Sequence, residues 1–320
     1  MARYVIYGAG AIGGVIGARL HAAGHQVALL ARGAHFEAIA RHGLLLQRPG
    51  GSDRFKIEVA EHPSKIAIAP EDVVIMAMKS QDTAGALVEL SRAAGPDVKV
   101  VCAQNGVENE RAALRRFPTV YGCLVIMPAT HLRPGVVAQP SAPIAGVLDV
   151  GRVGGDRDEG VIALAEDLRG AGFASEASDD ILAWKRRKLL ANLANAPNAL
   201  FPKDEAVERY VQRAREEGRA CFAAAHLEVV AEASFEQRTT IFREQTMDER
   251  LRSESSSWQS LARGSGTIEA DYLNGEIALL GRLHRVPTPV NAALQRLANE
   301  HAARHSSPGS VPLAELEELL

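Results

Sequence analysis

Near its start the chain reads Tyr4-Val5-Ile6-Tyr7-Gly8-Ala9-Gly10-Ala11-Ile12-Gly13, an apolar run followed at once by glycines spaced GxGxxG. Gly8 would allow a tight turn, Gly10 a close approach of the backbone to a pyrophosphate, and Gly13 close packing of a helix on a strand. A helix that begins in this loop would offer unpaired N–H groups to phosphates. We therefore predict a strand, a loop and a helix that bind a dinucleotide through residues 8–13. The alternative is a glycine-rich turn without a ligand.

Outward from this stretch, apolar runs alternate with helix-like segments. Strand candidates are Gln26–Ala31, Val73–Met78 and Val98–Cys102. Such alternation predicts βαβ units and a parallel sheet, and continuous apolar runs suit strands that are covered on both faces. Residues 130–154 are rich in Gly, Pro, Val and Ile, and they should add antiparallel or loop elements that complete this domain.

The pattern becomes helical from Asp179 onward, with apolar residues at helical spacing over residues 207–230 and 273–283. At 320 residues the chain exceeds one ordinary core. We predict an α/β Rossmann domain over residues 1–178 and an all-α substrate domain over residues 179–320.

Two segments of the second domain leave questions open. The apolar residues of 273–283 could form a homodimer interface or pack in the domain's own core. The tail from His305 carries Ser-Ser-Pro-Gly-Ser before Leu313–Leu320. This composition is typical of a flexible linker followed by a short amphipathic turn.

Composition argues against several classes of protein. The net charge is −3 and 47% of the residues are hydrophobic, so neither nucleic acid nor an anionic membrane would meet a dense basic field. The start lacks the pattern of a signal peptide, and no apolar stretch reaches the ~20 residues that span a bilayer. Cys102, Cys123 and Cys221 are too few and too widely spaced for a disulfide framework or a zinc site. We expect a cytoplasmic protein without a metal, whose cysteines are small buried hydrophobes.

The end of the second predicted strand bears on the choice of cofactor. Enzymes that use NAD usually place Asp or Glu there for the ribose hydroxyls, but residues 29–33 contain no acid. Arg32 could pair with a 2′-phosphate, which favours NADP(H); a solvated loop arginine is the alternative. Lys79 directly follows the predicted strand Val73–Met78, and Asn105 follows the strand that ends near Cys102. Ligands bind at the carboxyl ends of strands in such sheets, although both residue types are also common in ordinary loops.

A candidate proton donor lies where the helical pattern begins. At about 100° per residue, Lys188, Asn192 and Asn195 fall within roughly 60° of one another on a helix. A lysine can donate a proton to a forming alkoxide, and amides can bind carbonyl and carboxylate oxygens. An exposed basic face is the alternative. Lys185 is a rival acid, but it lies about 60° away from Lys188 on the side opposite Asn192.

Together these residues make the chain resemble the ketopantoate reductase family (2-dehydropantoate 2-reductase). The resemblance extends over nearly the whole chain, up to about Asn291. The resemblance rests on the glycine loop, Arg32, Lys79, Asn105-Gly106, Lys188-Leu-Leu-Ala-Asn192, Ser256-Ser257, Ile268-Glu-Ala-Asp-Tyr-Leu-Asn-Gly275 and Pro287-Thr-Pro-Val-Asn291.

This resemblance implies a specific reaction and a role for each matching residue. NADPH would deliver hydride to the keto carbon of a 2-oxo acid, in the family's case ketopantoate, in pantothenate biosynthesis. Lys188 would be the general acid, and Glu269 would hold a substrate hydroxyl. Asn105 and Asn192 would hydrogen-bond the substrate, and Ser257 would help bind its carboxylate. The helical domain would resemble that of 6-phosphogluconate dehydrogenase.

Three positions depart from the family pattern. The family has a second asparagine eight residues after the lysine, where this chain has Ala196, and Asn195 stands one residue earlier as a candidate replacement. Leu261 and Ile268 replace the family's aspartate and threonine. The departures keep other functions open: a reductase of a different 2-oxo acid or ketone, a non-catalytic NADP-binding regulator, or an opine-type or 3-hydroxyacid dehydrogenase.

Overall fold

The computed structural model describes residues 3–245 and 255–320. The strands are β1 (Arg3–Tyr7), β2 (Gln26–Leu30), β3 (Leu44–Arg48), β4 (Gly51–Phe55), β5 (Glu58–Ala60), β6 (Val73–Met76), β7 (Lys99–Cys102), β8 (Val120–Ile126), β9 (Thr130–Arg133), β10 (Val136–Ala138), β11 (Ser141–Ala142), β12 (Val147–Arg152) and β13 (Arg243–Glu244). The helices are α1 (Ala11–Ala22), α2 (Gly33–His42), α3 (Ser80–Ala93), α4 (Glu108–Leu114), α5 (Glu159–Gly170), α6 (Ile181–Asn192), α7 (Asn195–Leu200), α8 (Glu205–Ala224), α9 (Glu232–Thr239), α10 (Ser256–Ala262), α11 (Asn274–His284), α12 (Pro289–Ala303) and α13 (Ala314–Glu317). Short 3₁₀ helices cover Pro63–Lys65 and Glu269–Tyr272.

The chain divides into two compact units. Of the described residues, the first unit holds 3–104, 109–182 and 232–245, and the second holds 105–108, 183–231 and 255–320.

This division differs from the predicted boundary between residues 178 and 179. The break falls four residues later, and the segments 105–108 and 232–245 each belong to the other unit. Pairings over long sequence distances are the reason, because a sequence pattern assigns only continuous segments. Arg238 donates two hydrogen bonds, of 2.6 and 2.9 Å, to the buried Asp149, and β13 pairs with β11.

The first unit is built on a seven-stranded sheet in the order β12-β8-β7-β6-β1-β2-β5. Its neighbours are parallel except β8 and β12, so the predicted parallel sheet of βαβ units is confirmed. Tyr4 and Ile6 belong to one buried apolar cluster, whereas Val5 and Tyr7 belong to another. Successive side chains of a strand point to opposite faces, so both faces of the central strand are covered, as its continuous apolar run predicts.

The strand order reverses between β1 and β6. In a doubly wound sheet, ligands bind outside the carboxyl ends of the strands at this point. Here those ends are Tyr7 and Met76, which are followed by the glycine loop and by Lys79.

Residues 130–154 contribute to two sheets, as expected of elements that complete the first domain. β12 extends the main sheet antiparallel to β8, and β9 and β10 join a smaller sheet in the order β4-β3-β10-β9. The prediction allowed only antiparallel or loop elements, and β10 departs from it because it pairs parallel to β3.

The second unit is helical, but the helix predicted to carry the proton donor is broken. α6 ends at Asn192 and α7 begins at Asn195. Pro197 has no N–H, so it cannot bond to the carbonyl of Leu193, and that carbonyl instead accepts from Asn274 Nδ2 at 3.4 Å. The prediction that Asn195 shares a continuous helix face with Lys188 is therefore wrong.

A buried polar network surrounds this break. Asn274 is 0% exposed, and its Nδ2 also donates to Asn291 Oδ1 at 2.9 Å. Asn291 Nδ2 donates to Ala214 O at 2.9 Å and to Glu217 Oε2 at 2.7 Å. Glu217 in turn accepts the backbone N–H groups of Val290 and Asn291, each at 3.0 Å. Asn274, from the motif that ends in Asn274-Gly275, and Asn291, from the Pro-Thr-Pro-Val-Asn motif, thus connect α8, α11 and α12.

The tail is packed, contrary to its prediction as a flexible linker. Val311 and Leu316 are buried in the apolar cluster of the second unit. Val311 N donates to Leu200 O at 3.0 Å, and His301 Nε2 lies 3.0 Å from Glu315 Oε2. The apolar side chains that follow the Ser and Gly residues explain the difference, because composition does not show that they find a core to pack against.

The two helical patterns hold in part. α8 covers residues 207–224 of the segment predicted as 207–230 and begins two residues before it, and α11 matches the segment 273–283 to within one residue at each end. On α11, Leu280 is buried in the unit's own core, whereas Leu283 is 63% exposed. A homodimer stays a prediction.

All three cysteines are free and buried, as predicted. Among the described residues, no helix combines the length and the apolar character needed to cross a bilayer.

We predict that Asn274→Ala lowers the free energy of unfolding by about 1–3 kcal/mol, because the Leu193 carbonyl and Asn291 Oδ1 both lose the donor that Asn274 Nδ2 gives them. Urea unfolding measures this change. Asn198→Ala is the matched control, since Asn198 is exposed on α7, and surface changes of this kind stay within about 0.5 kcal/mol. Equal unfolding free energies for the two variants would contradict a structural role for Asn274.

Candidate functional site

The glycine loop has the geometry of a dinucleotide-binding turn. Gly8 has φ +98°, and a Cβ added there would lie 2.7 Å from Met78 N. A Cβ at Gly13 would lie 2.2 Å from Gly8 O and 2.8 Å from Ile6 Cγ2. At Gly10, in contrast, a Cβ would meet no heavy atom of the described residues within 4 Å, its own helix and chain neighbours aside. The protein itself excludes side chains at Gly8 and Gly13, and Gly10 borders open space that suits an approaching ligand.

Backbone hydrogen bonds set the direction of the loop. Gly8 N and Ala9 N donate to Leu30 O at 3.2 and 2.9 Å, and Gly14 N donates to Gly10 O at 2.7 Å to start α1. The N–H groups of the first turn of a helix have no partner within the helix. The first turn of α1 contains no acid, so its positive end is available to an anion.

A cleft of about 250 Å³ lies beside this loop in the first unit. Its lining includes the loop residues 8–10, Arg32, His35, Glu61 and His131. The predicted cofactor residues Gly8, Ala9, Gly10 and Arg32 thus border one cavity. His35, Glu61 and His131 carried no sequence motif, and only the fold brings them there.

Arg32 immediately precedes α2, and its side chain is 64% exposed. Its Nη2 lies 3.4 Å from Glu89 Oε2. Glu89 also accepts a hydrogen bond from the Tyr7 hydroxyl, and burial and this carboxylate both raise the pKa of Tyr7. Tyr7 therefore stays a donor to Glu89, and the exposed ion pair between Arg32 and Glu89 is weak.

Lys79 and Asn105, which the sequence placed at one crevice, belong to different units. Lys79 is half-buried and immediately precedes α3 in the first unit. A buried network in that unit supports the loop before it: Gln104 Nε2 donates to Met78 O at 2.9 Å and to Thr83 Oγ1 at 2.7 Å. Thr83 Oγ1 donates to Asn109 Oδ1 at 2.8 Å. Polar residues directly after two strands were the only sequence signal for this network.

In the second unit, Lys188 and Asn105 meet although they are 83 residues apart. Lys188 Nζ donates to Asn105 Oδ1 at 2.8 Å, and both residues are half-buried. The hydrogen bond holds an ammonium group at a defined place beside an amide. Such a pair can donate a proton and hydrogen bonds to a bound carbonyl.

The other basic residues of α6 have different surroundings. Arg186 Nη1 donates to Glu228 O at 2.8 Å, and Arg187 Nε donates to Val230 O at 2.7 Å. Both arginines therefore support the segment that follows α8. Lys185, the rival acid, is buried. These contacts argue against the alternative that α6 simply presents an exposed basic face.

The remaining predicted substrate residues also belong to the second unit. Asn192 Nδ2 is buried and has no hydrogen-bond partner among the described residues. A buried donor without an acceptor is costly, and a ligand oxygen would satisfy it. Ser257 is buried in α10, and Glu269, at the start of a 3₁₀ helix, is only 6% exposed. Asn195 is half-buried at the start of α7.

The three departures from the family pattern lie in the core. Ala196, Leu261 and Ile268 are all buried members of the apolar cluster of the second unit. Apolar side chains suit these positions because they pack there, so the packing of the second unit accounts for all three.

Comparisons with known proteins agree with this architecture. A model described as ketopantoate reductase PanE/ApbA matches residues 4–152, and one for the C terminal of the same family matches residues 180–302. A 2-dehydropantoate 2-reductase from Mesorhizobium japonicum is 30% identical over 93% of this chain and 98% of its own. One from Pyrococcus horikoshii is 29% identical over 91% and 95%.

Solved structures share the fold over nearly the whole chain. A PanE/ApbA family ketopantoate reductase from Ralstonia eutropha has a TM-score of 0.80 and 29% identity, over 95% of this chain and 99% of that one. A D-mandelate dehydrogenase with NADH and anilino(oxo)acetate has a TM-score of 0.81 over the same shares, and its 22% identity supports the fold alone. With both family models matched in order along its length, the chain belongs to the ketopantoate reductase family of pyridine-nucleotide-dependent oxidoreductases.

Proposed function

We propose that the protein reduces ketopantoate to pantoate with NADPH and uses Lys188 as general acid. The hydrogen bond between Lys188 Nζ and Asn105 Oδ1 carries this proposal. It holds a proton donor beside an amide in the unit that also contains Asn192, Ser257 and Glu269. The names of the curated relatives support the choice of substrate.

The nucleotide would be held by the first unit. The first N–H groups of α1 would bind the pyrophosphate, and the open space at Gly10 leaves room for it. Arg32 and Lys79 would add positive charge. When bound, the reduced nicotinamide supplies the hydride.

Arg32 supports NADPH over NADH. Its exposed guanidinium stands at the end of β2, where a carboxylate would otherwise receive the ribose hydroxyls, and guanidinium groups bind phosphates through two parallel hydrogen bonds. Its ion pair with Glu89 is long, at 3.4 Å, and exposed to solvent. A 2′-phosphate could replace this weak contact.

Lys188 would protonate the oxygen of the substrate as hydride reaches the keto carbon. The carbonyl then becomes an alcohol, with one hydride on carbon and one proton on oxygen. The ammonium group becomes an amine and regains its proton from water. Asn105 would keep Nζ directed at the oxygen, where negative charge develops.

Three further side chains would bind the substrate itself. The free Nδ2 of Asn192 would donate to a carboxylate or keto oxygen, which removes the cost of burying it unpaired. The buried Glu269 carboxylate would accept a hydrogen bond from the substrate hydroxyl. Ser257 would donate to the substrate carboxylate.

We predict that Lys188→Ala lowers kcat for NADPH oxidation with ketopantoate by about 10²–10⁴, the usual range for loss of a general acid. The Kd for NADPH should change little, because Lys188 belongs to the second unit. Lys203→Ala is the control, since Lys203 is exposed. Unchanged turnover in Lys188→Ala would remove this lysine from the mechanism, and Lys185→Met would then test the rival acid.

The same assay with other 2-oxo acids and ketones tests the substrate. We expect ketopantoate to have the highest kcat/KM. Faster turnover of another 2-oxo acid would replace ketopantoate in the proposal. NADPH binding without oxidation of any substrate would favour the non-catalytic regulator.

We predict that Arg32→Ala raises the KM for NADPH by about 10- to 100-fold and leaves the KM for NADH nearly unchanged. The range corresponds to loss of a charge-assisted hydrogen bond to the 2′-phosphate. Arg41→Ala is the matched control, because Arg41 is exposed on α2, the helix that Arg32 precedes. An equal loss for both cofactors would contradict the choice of NADPH.

A further inference from the structure

The imidazole of His35 joins the glycine loop to another part of the first unit. His35 is the third residue of α2 and is buried. Its Nε2 lies 2.7 Å from Ala9 O, and its Nδ1 accepts a hydrogen bond from Gly135 N at 2.9 Å. One ring thus connects residues 26 and 100 positions away in the sequence.

These two partners determine the protonation state of the ring. A backbone N–H can only donate, so Nδ1 must be unprotonated, and a carbonyl can only accept, so Nε2 must carry the hydrogen. Burial lowers the pKa of His35, which favours the same neutral form. His131 packs against the ring, with the ring centroids 4.1 Å apart.

The bond to Ala9 O bears directly on a phosphate-binding donor. The carbonyl of Ala9 and the N–H of Gly10 belong to one planar trans peptide, so they point in opposite directions. When His35 holds the carbonyl, the Gly10 N–H is directed to the other side of the peptide plane. The N–H groups of Gly8 and Ala9 are already occupied by Leu30 O.

We infer that His35 is a positioning residue for the dinucleotide: its Nε2–H holds the Ala9 carbonyl so that the Gly10 N–H is aimed at the pyrophosphate. The inference rests on the proposed binding of NADPH by the glycine loop. It adds a side chain that no motif of the loop contains. His35 acts through the backbone of the loop and takes no part in hydride or proton transfer.

Two substitutions separate the two hydrogen bonds of the ring. In His35→Gln the side-chain amide nitrogen can replace Nε2 as donor to Ala9 O. In His35→Asn the amide oxygen can replace Nδ1 as acceptor from Gly135 N, but no donor reaches Ala9 O. Titration of the fluorescence of NADPH gives its Kd, and kcat is measured at saturating NADPH.

We expect His35→Asn to weaken NADPH binding about tenfold, as for loss of one hydrogen bond to a buried carbonyl. His35→Gln should bind within about twofold of the unmodified protein, and kcat should stay unchanged in both. His42→Asn is the matched control, because His42 is exposed on the same helix. Thermal unfolding without nucleotide shows whether each variant is folded.

Equal losses of affinity in His35→Asn and His35→Gln would show a packing role and overturn the inference. Unchanged affinity in both would overturn it as well. Failure of the unmodified protein to bind NADPH would instead contradict the proposed function, so the two failures can be told apart.

Discussion

Helix α1 approaches strand β1 so closely that no side chain fits between them at residue 13. A Cβ there would overlap Gly8 O and Ile6 Cγ2, and this close approach brings the start of α1 to the carboxyl end of β1. The strand order reverses beside β1, so the positive end of the helix borders the place where such sheets bind ligands. The cleft, the position of Arg32 and the role inferred for His35 all depend on this contact.

The second unit depends on a different constraint, the proline four residues after Leu193. Pro197 removes one helical hydrogen bond, and the chain closes the gap with the buried amide of Asn274. Asn274 is held by Asn291, and Asn291 by Glu217. The break lies directly after Asn192, so this network supports the end of the helix that carries Lys188 and Asn192. The two motifs that contain Asn274 and Asn291 carry the family resemblance, and in this chain both asparagines therefore have a structural role.

In the glycine loop and on α6, the protein pairs most of the polar groups described above and leaves one of them unpaired. Leu30 O and His35 occupy the polar groups of Gly8 and Ala9, and Asn105 occupies Lys188. Asn192 Nδ2 has no partner among the described residues. Protein partners orient these groups, and under the proposed function the unpaired donor would bind an oxygen of the substrate. Because the departures at Ala196, Leu261 and Ile268 are core positions, the packing of the second unit accounts for them.

The sequence by itself determined the α/β and helical parts, the glycine loop, the four strands β1, β2, β6 and β7, and the candidate acid. These features depend on periodicity and on spacing within a few residues, which physical chemistry links directly to local structure. Only the tertiary structure decided which residues meet across long distances: Lys188 with Asn105, Asn274 with Leu193, and His35 with Ala9. It also decided that residues 105–108 and 232–245 change units, that α6 ends at Asn192 and that the tail packs. A pattern shows which residues are polar or apolar, but the partner that satisfies each one is chosen by the fold.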